Sequence, residues 1–186
     1  MDNIHPLSNS TKDQYLLRPA TLWGIPYVKE ALYIFEEQYP HEVRLSQSLN
    51  VAIQYAQGEK RGQNLRRTSM AAFKVGKEVS PEAKFVSKAA SAISSVSYTH
   101  TDLHTGEQGW RQARHILGPI VYSAYALELF QGDSDISEKL IQQAVQDAPN
   151  EVSILIKNFP KQPTKTNRLD ILFSQLDSGL RSKKSH

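Results

Sequence analysis

The apolar residues of this chain recur every three or four positions and almost nowhere every second one, which restricts it to packed helices. From Pro26, the side chains of Val28, Ala31, Leu32, Phe35 and Tyr39 share one helical face, while Lys29, Glu30, Glu36 and Glu37 occupy the other. Pro26 suits a first turn and Pro40 ends the element. A second helix is expected over about 41–57, with Leu45, Leu49, Ala52, Ile53 and Ala56 as its stripe and Gly58 as its stop. A third covers roughly 63–78. Ser80-Pro81-Glu82 combines a cap residue, a first-turn proline and a first-turn acid. A fourth helix therefore starts there, carries Val86, Ala89, Ala90, Ile93 and Val96, and runs to about 104.

A fifth helix is expected over about 108–130, through Trp110, Ala113, Leu117, Val121 and Ala124. Pro119 inside it removes a backbone hydrogen bond and predicts a kink or two abutting helices. Three shorter amphipathic pieces follow near 136–145, 152–159 and 169–180, with Pro160 and Pro163 marking a linker between the last two. The fold class expected is all-α: an antiparallel helical bundle of about five core helices with additional short C-terminal helices. Residues 1–22, which carry Pro6 and Pro19 and show no period, read as a loosely ordered leader. Residues 23–130 read as the main helical domain, 131–180 as a C-terminal helical extension, and 181–186 as a solvated basic tail.

Composition removes several kinds of chemistry. The chain has no cysteine, which excludes disulfides, thiolate catalysis and sulfur-ligated zinc. With 186 residues it is long enough to bury a core without a metal. It has no apolar run near the roughly 20 residues that span a bilayer, so a cytoplasmic, soluble protein with no membrane partner is expected. The net charge of +3 is uneven: residues 1–150 hold 15 basic and 16 acidic side chains, residues 151–186 hold 7 and 3. Basicity confined to the end raises solubility and says little about nucleic acid.

Three of the six histidines, His100, His104 and His115, lie in a small-residue segment from Ala89 to Leu129. Alanine and serine faces let helices approach closely. Histidines four apart share a helix face and could hold zinc, but a metalloprotease-type pair needs a glutamate after the first histidine, and Thr101 stands there. These three are weak metal candidates; the residues read more simply as a structural polar layer of Thr99, His100 and His115 between helices, with Asp102 and His104 near a helix end. No nucleophile elbow, phosphate-binding glycine loop or di-iron motif occurs, so no catalytic residue, no enzyme activity and no cofactor are expected. Lys60, Arg61, Arg66, Arg67, Lys74 and Lys77 could neutralise phosphates, yet only Phe73 could stack on a base. Tyr33, Glu36, Glu37 and Glu42 form the candidate partner-binding surface, acidic with an aromatic anchor.

Several segments in fixed order resemble the Imm-5-like immunity proteins, a bacterial all-helical family of toxin systems. They are Trp23 with Tyr27-Val-Lys-Glu-Ala-Leu32, Phe35-Glu36, Tyr39-Pro40 and Arg44; Gly58 after the alanine-spaced helix; Arg66 with Ala71-Ala72; Ala89-Ala90 leading to Thr99-His100; and His115-Ile-Leu-Gly118 with Tyr122. The resemblance covers about 23–129 and leaves the last 55 or so residues without a counterpart. It implies a protein that neutralises a cognate toxin by stoichiometric binding. The alternatives are a nucleic-acid-binding helical module, which the sparse aromatics disfavour, and a metal-dependent enzyme using His100, His104 and His115. A homo-oligomer stays open.

Overall fold

A computed structural model describes residues 9–102, 105–164 and 166–183, with side chains from residue 16 onward. Among the described residues there are eight α-helices and no strand: α1 (Asn9–Gln38), α2 (Arg44–Ala56), α3 (Gln63–Val75), α4 (Pro81–Ser95), α5 (Gly106–Gln131), α6 (Ser134–Asp147), α7 (Asn150–Lys157) and α8 (Arg168–Ser182). A single 3-10 turn, Val96–Tyr98, follows α4.

Helix α4 is the hub and packs against α1, α2, α3 and α5. Its Ala and Ser residues make this possible, because Ala89, Ala90 and Ser94 are all fully buried with little side-chain bulk to separate the helices. The most extensive pairing is with α5. A methyl group on Gly118 of α5 would lie 3.3 Å from Ala92 Cβ, and one on Gly24 of α1 would lie 2.8 Å from Ile93 Cδ1 and 3.2 Å from Pro119 Cβ. Hydroxyls tie the hub down: Ser48 donates to the Ala90 carbonyl at 2.7 Å, Ser94 to the Ser48 carbonyl at 2.8 Å, and Ser87 to the Ala72 carbonyl at 2.7 Å. Each removes a buried polar group that would otherwise cost about 1–3 kcal/mol.

Residues 9–22 are not a loosely ordered leader but the first half of α1, which runs through both Pro19 and Pro26; residues 1–8 lie outside the described residues. An interior proline costs a helix about 3 kcal/mol. Tertiary contact offsets it here: Leu17, Ala20, Trp23, Tyr27, Val28 and Ala31 form a buried stripe at helical spacing. Trp23 Nε1 donates to the Ala144 carbonyl at 2.9 Å, and the Tyr27 hydroxyl donates to Asp147 at 2.8 Å, both in α6. Burial and the adjacent carboxylate push the Tyr27 phenol well above its usual range, so it stays a proton donor to Asp147. Arg18 bonds the Tyr55 carbonyl and, at 2.9 Å, that of Glu59, which satisfies the C-terminal end of α2.

The other boundaries differ less. The serine- and tyrosine-rich end of α4 turns at Val96 instead of continuing to 104, and α5 runs through Pro119 as one helix. The apolar core is continuous from Leu17 to Leu180. Helices α6 and α8 pack on α5, and α7 packs on α1 and α8, held by arginine clamps. Arg114 pairs with Asp170 and, at 2.9 Å, with Gln162; Arg168 pairs with Glu128 at 2.8 Å and Glu138 at 3.0 Å. The expected solvated tail is also corrected in part. Arg181 pairs with nearly buried Asp177 at 2.8 Å and donates to the Phe159 carbonyl. The Lys183 ammonium donates to the carbonyls of Val145, Gln146 and Ala148, so a cation sits where the end of α6 is negative. Residues 184–186 lie outside the described residues. No helix among the described residues is long and apolar enough to cross a membrane.

Candidate functional site

Two surfaces carry the open chemistry, and helix α5 reaches both. The first is a cleft of about 500 Å³ between α3, the end of α4 and the N-terminal half of α5. Arg66, Ser69 and Met70 line it from α3, Tyr98, Thr99 and His100 from the turn after α4, and His115 from α5. The candidate residues Thr99, His100 and His115 thus converge, but not as the hydrogen-bonded layer expected. The His100 side chain is 68 % exposed and stands 3.9 Å from Asp102, too far for a hydrogen bond; its backbone N–H donates to Gln112 at 2.9 Å. Thr99 is buried, and its hydroxyl has no hydrogen-bond partner among the described residues. His115 is exposed on α5, yet partial desolvation by its surroundings and then the neighbouring His100 hold it below the usual imidazole range.

His104, the third weak metal candidate, lies outside the described residues. Among the described residues no group of three or more His, Asp or Glu side chains is placed to hold a metal ion. The basic run seen in the sequence divides. Arg61 and Arg66 line the cleft, whereas Lys74 and Lys77 border a separate hollow beside Glu42, Glu78 and Tyr39. Arg61 donates to the Ser97 carbonyl at 3.2 Å and lies 5.4 Å from the Tyr98 ring. Next to the cleft, and sharing Ser95 and His115 with it, runs a shallower groove that adds Lys88, Arg111 and Arg114. Burial against Phe85 and Tyr122, with Lys84 nearby, lowers the Lys88 ammonium.

The second surface is the edge where α1 meets the C-terminal end of α5. Tyr33 and Phe130 meet there edge to face at 5.8 Å, and both stay exposed, 39 % and 40 %. Glu30, Glu36 and Glu37 of α1 stand beside them, exposed and without an ion pair among the described residues. Asp133 and Asp135 follow a few residues after Phe130. Three of the four partner-binding candidates therefore sit together. Glu42 does not join them: it pairs with Arg44, with Nε to Oε1 at 2.7 Å, beside Phe35 and Tyr39, and Phe35 points into the core from the side of α1 opposite Tyr33. Phe130 is the residue that sequence reasoning missed. As a lone aromatic at a helix end it gave no signal until α1 was set against it.

The class of this all-helical bundle comes from the family comparison. The chain belongs to the family described as Imm-5 like putative immunity protein, whose model matches residues 9–107, just over half of its length. That match takes in the whole of α1 with Tyr33, as well as Arg66 and His100, and stops before His115 and Phe130. No curated protein and no solved structure matches the chain.

Proposed function

We propose that this Imm-5-like protein neutralises a cognate toxin in the cytoplasm by binding it one to one, with no catalytic step. The observation that carries the reading is the exposed Tyr33–Phe130 pair beside the exposed carboxylates of Glu30, Glu36 and Glu37, which have no ion pair among the described residues. Aromatic pairs of this kind are the usual energetic centre of a protein interface, because large rings bury much area while losing few rotamers. Carboxylates around them steer a basic partner and fix its register. The surface therefore fits a toxin whose functional face is cationic. Helices α1 and α5 supply the rigidity: α1 is held by Trp23 and Tyr27 on α6, and α5 by Arg168 on Glu128.

The test is to produce the toxin encoded beside this protein and measure the complex by calorimetry and by survival of cells that carry both. A one-to-one complex that abolishes toxicity is the expected result. Survival without a complex, or turnover of the toxin by substoichiometric amounts of this protein, would contradict the reading.

A further inference from the structure

The cleft between α3, α4 and α5 is built differently from the edge that the proposed toxin contact uses. Arg66 has no hydrogen bond or ion pair among the described residues, although it lines an open cleft with Arg61, His100 and His115. The carboxylate that faces these groups, Asp102, is 82 % exposed and so screened by water. Thr99 lines the same cleft, and its hydroxyl is a buried polar atom without a partner among the described residues. Such atoms are rare in folded proteins and often mark a place where a ligand or water completes the bonding.

We propose that this cleft binds a phosphate monoester of about mononucleotide size. Arg61 and Arg66 present planar donors suited to phosphate oxygens, and His115 adds an N–H donor. Donors arriving from α3, α5 and the turn after α4 suit a group with three acceptor oxygens better than a planar carboxylate. At about 500 Å³ the space is far larger than a phosphate ion and in the range of pockets that hold small organic ligands. The Tyr98 ring and the half-exposed Met70 supply the apolar wall for the organic part. A nucleic-acid strand fits less well, because Lys74 and Lys77 border a separate hollow, so the positive charge does not continue as a track.

Titration calorimetry of the full chain at low salt, with adenosine 5′-monophosphate, adenosine, inorganic phosphate and a ten-nucleotide single-stranded DNA as probes, tests this. Adenosine 5′-monophosphate binds one to one and at least about tenfold more tightly than phosphate or adenosine. Arg66→Gln weakens it by about tenfold or more without lowering Tm, since Arg66 is exposed on α3, and Arg66→Lys recovers part of the loss. Thr99→Val, which removes the unpartnered hydroxyl at constant shape, raises Tm and weakens the nucleotide. The proposal is overturned if adenosine 5′-monophosphate gives no binding, or if adenosine or phosphate matches it. It is equally overturned if the DNA exceeds it tenfold, or if Arg66→Gln leaves its affinity unchanged.

Discussion

The two ends of helix α5 carry opposite chemistry. Arg111, Arg114 and His115 stand near its N-terminal end, beside Lys88, Arg61 and Arg66, whereas its C-terminal end presents Phe130 among carboxylates. His115 and Phe130 are separated by about 22 Å at the rise of an α-helix, so a single ligand of modest size cannot engage both. Glu107 in the first turn of α5 suits the positive end of the helix and Glu128 in its last turn runs against the macrodipole, whereas the basic side chains lie beyond the first turn, where that effect has faded. Side-chain partners meet most of these charges. Arg114 is neutralised by Asp170, Arg111 by Glu107 at 2.5 Å, and Glu128 by Arg168. Arg66, Glu36 and Glu37 are left without an ion pair among the described residues, and these are the positions that face the two proposed ligands.

The largest expected effect comes from breaking the clamp beneath the acidic end. Arg168→Ala leaves Glu128, only 14 % exposed, without its guanidinium and frees α8 from the junction of α5 and α6. Because Arg168 is itself partly exposed, a loss of about 2–3 kcal/mol in urea denaturation is expected, below the full cost of breaking a buried pair.

A smaller effect sharpens the basic end. His115 has its folded pKa lowered below the ordinary 6.5, first by burial and then by His100. In the interval between that lowered value and 6.5 the unfolded chain binds more protons, so stability rises with pH across that window and falls on acidification. His115→Gln should flatten this slope in denaturation measured from pH 5 to 7; an unchanged slope would place the pH dependence elsewhere. The smallest effect belongs to Glu42. Its pairing with exposed Arg44 lowers its pKa, yet Glu42→Gln should change stability by less than about 0.5–1 kcal/mol and leave toxin affinity unaltered, as befits a residue outside the acidic edge.

Much of the bundle is legible from local pattern. Helices α2, α3, α6 and α8 show uninterrupted stripes, and Ser80-Pro81 marks the start of α4 by chemistry that needs no partner, with the Ser80 hydroxyl accepting from Ala83 N–H. The first half of α1 was hidden because two prolines imitate a boundary. What overrides them, Trp23 on Ala144 and Tyr27 on Asp147, lies some 120 residues away in sequence. Likewise Arg181 and Lys183 read as tail residues until their carbonyl partners are brought beside them by α6 and the segment after α7. At the candidate sites, the residue types were legible and their groupings were not. Tyr33, Glu36 and Glu37 stand on one edge as read, but Glu42 is turned away by Arg44 and Phe130 is added by α5. His100 and His115 do meet, in an open cleft with basic walls and not in a buried layer.

The most direct measurement is calorimetry of the toxin complex with two variants side by side, Tyr33→Ala/Phe130→Ala and Arg66→Gln. Loss of two exposed aromatic anchors should weaken the complex by about 2 kcal/mol or more, roughly thirtyfold, while the fold is retained and Arg66→Gln binds as the parent does. The opposite pattern, with Arg66→Gln weakening the toxin complex and the aromatic variant leaving it intact, would contradict the assignment of toxin binding to the acidic aromatic edge.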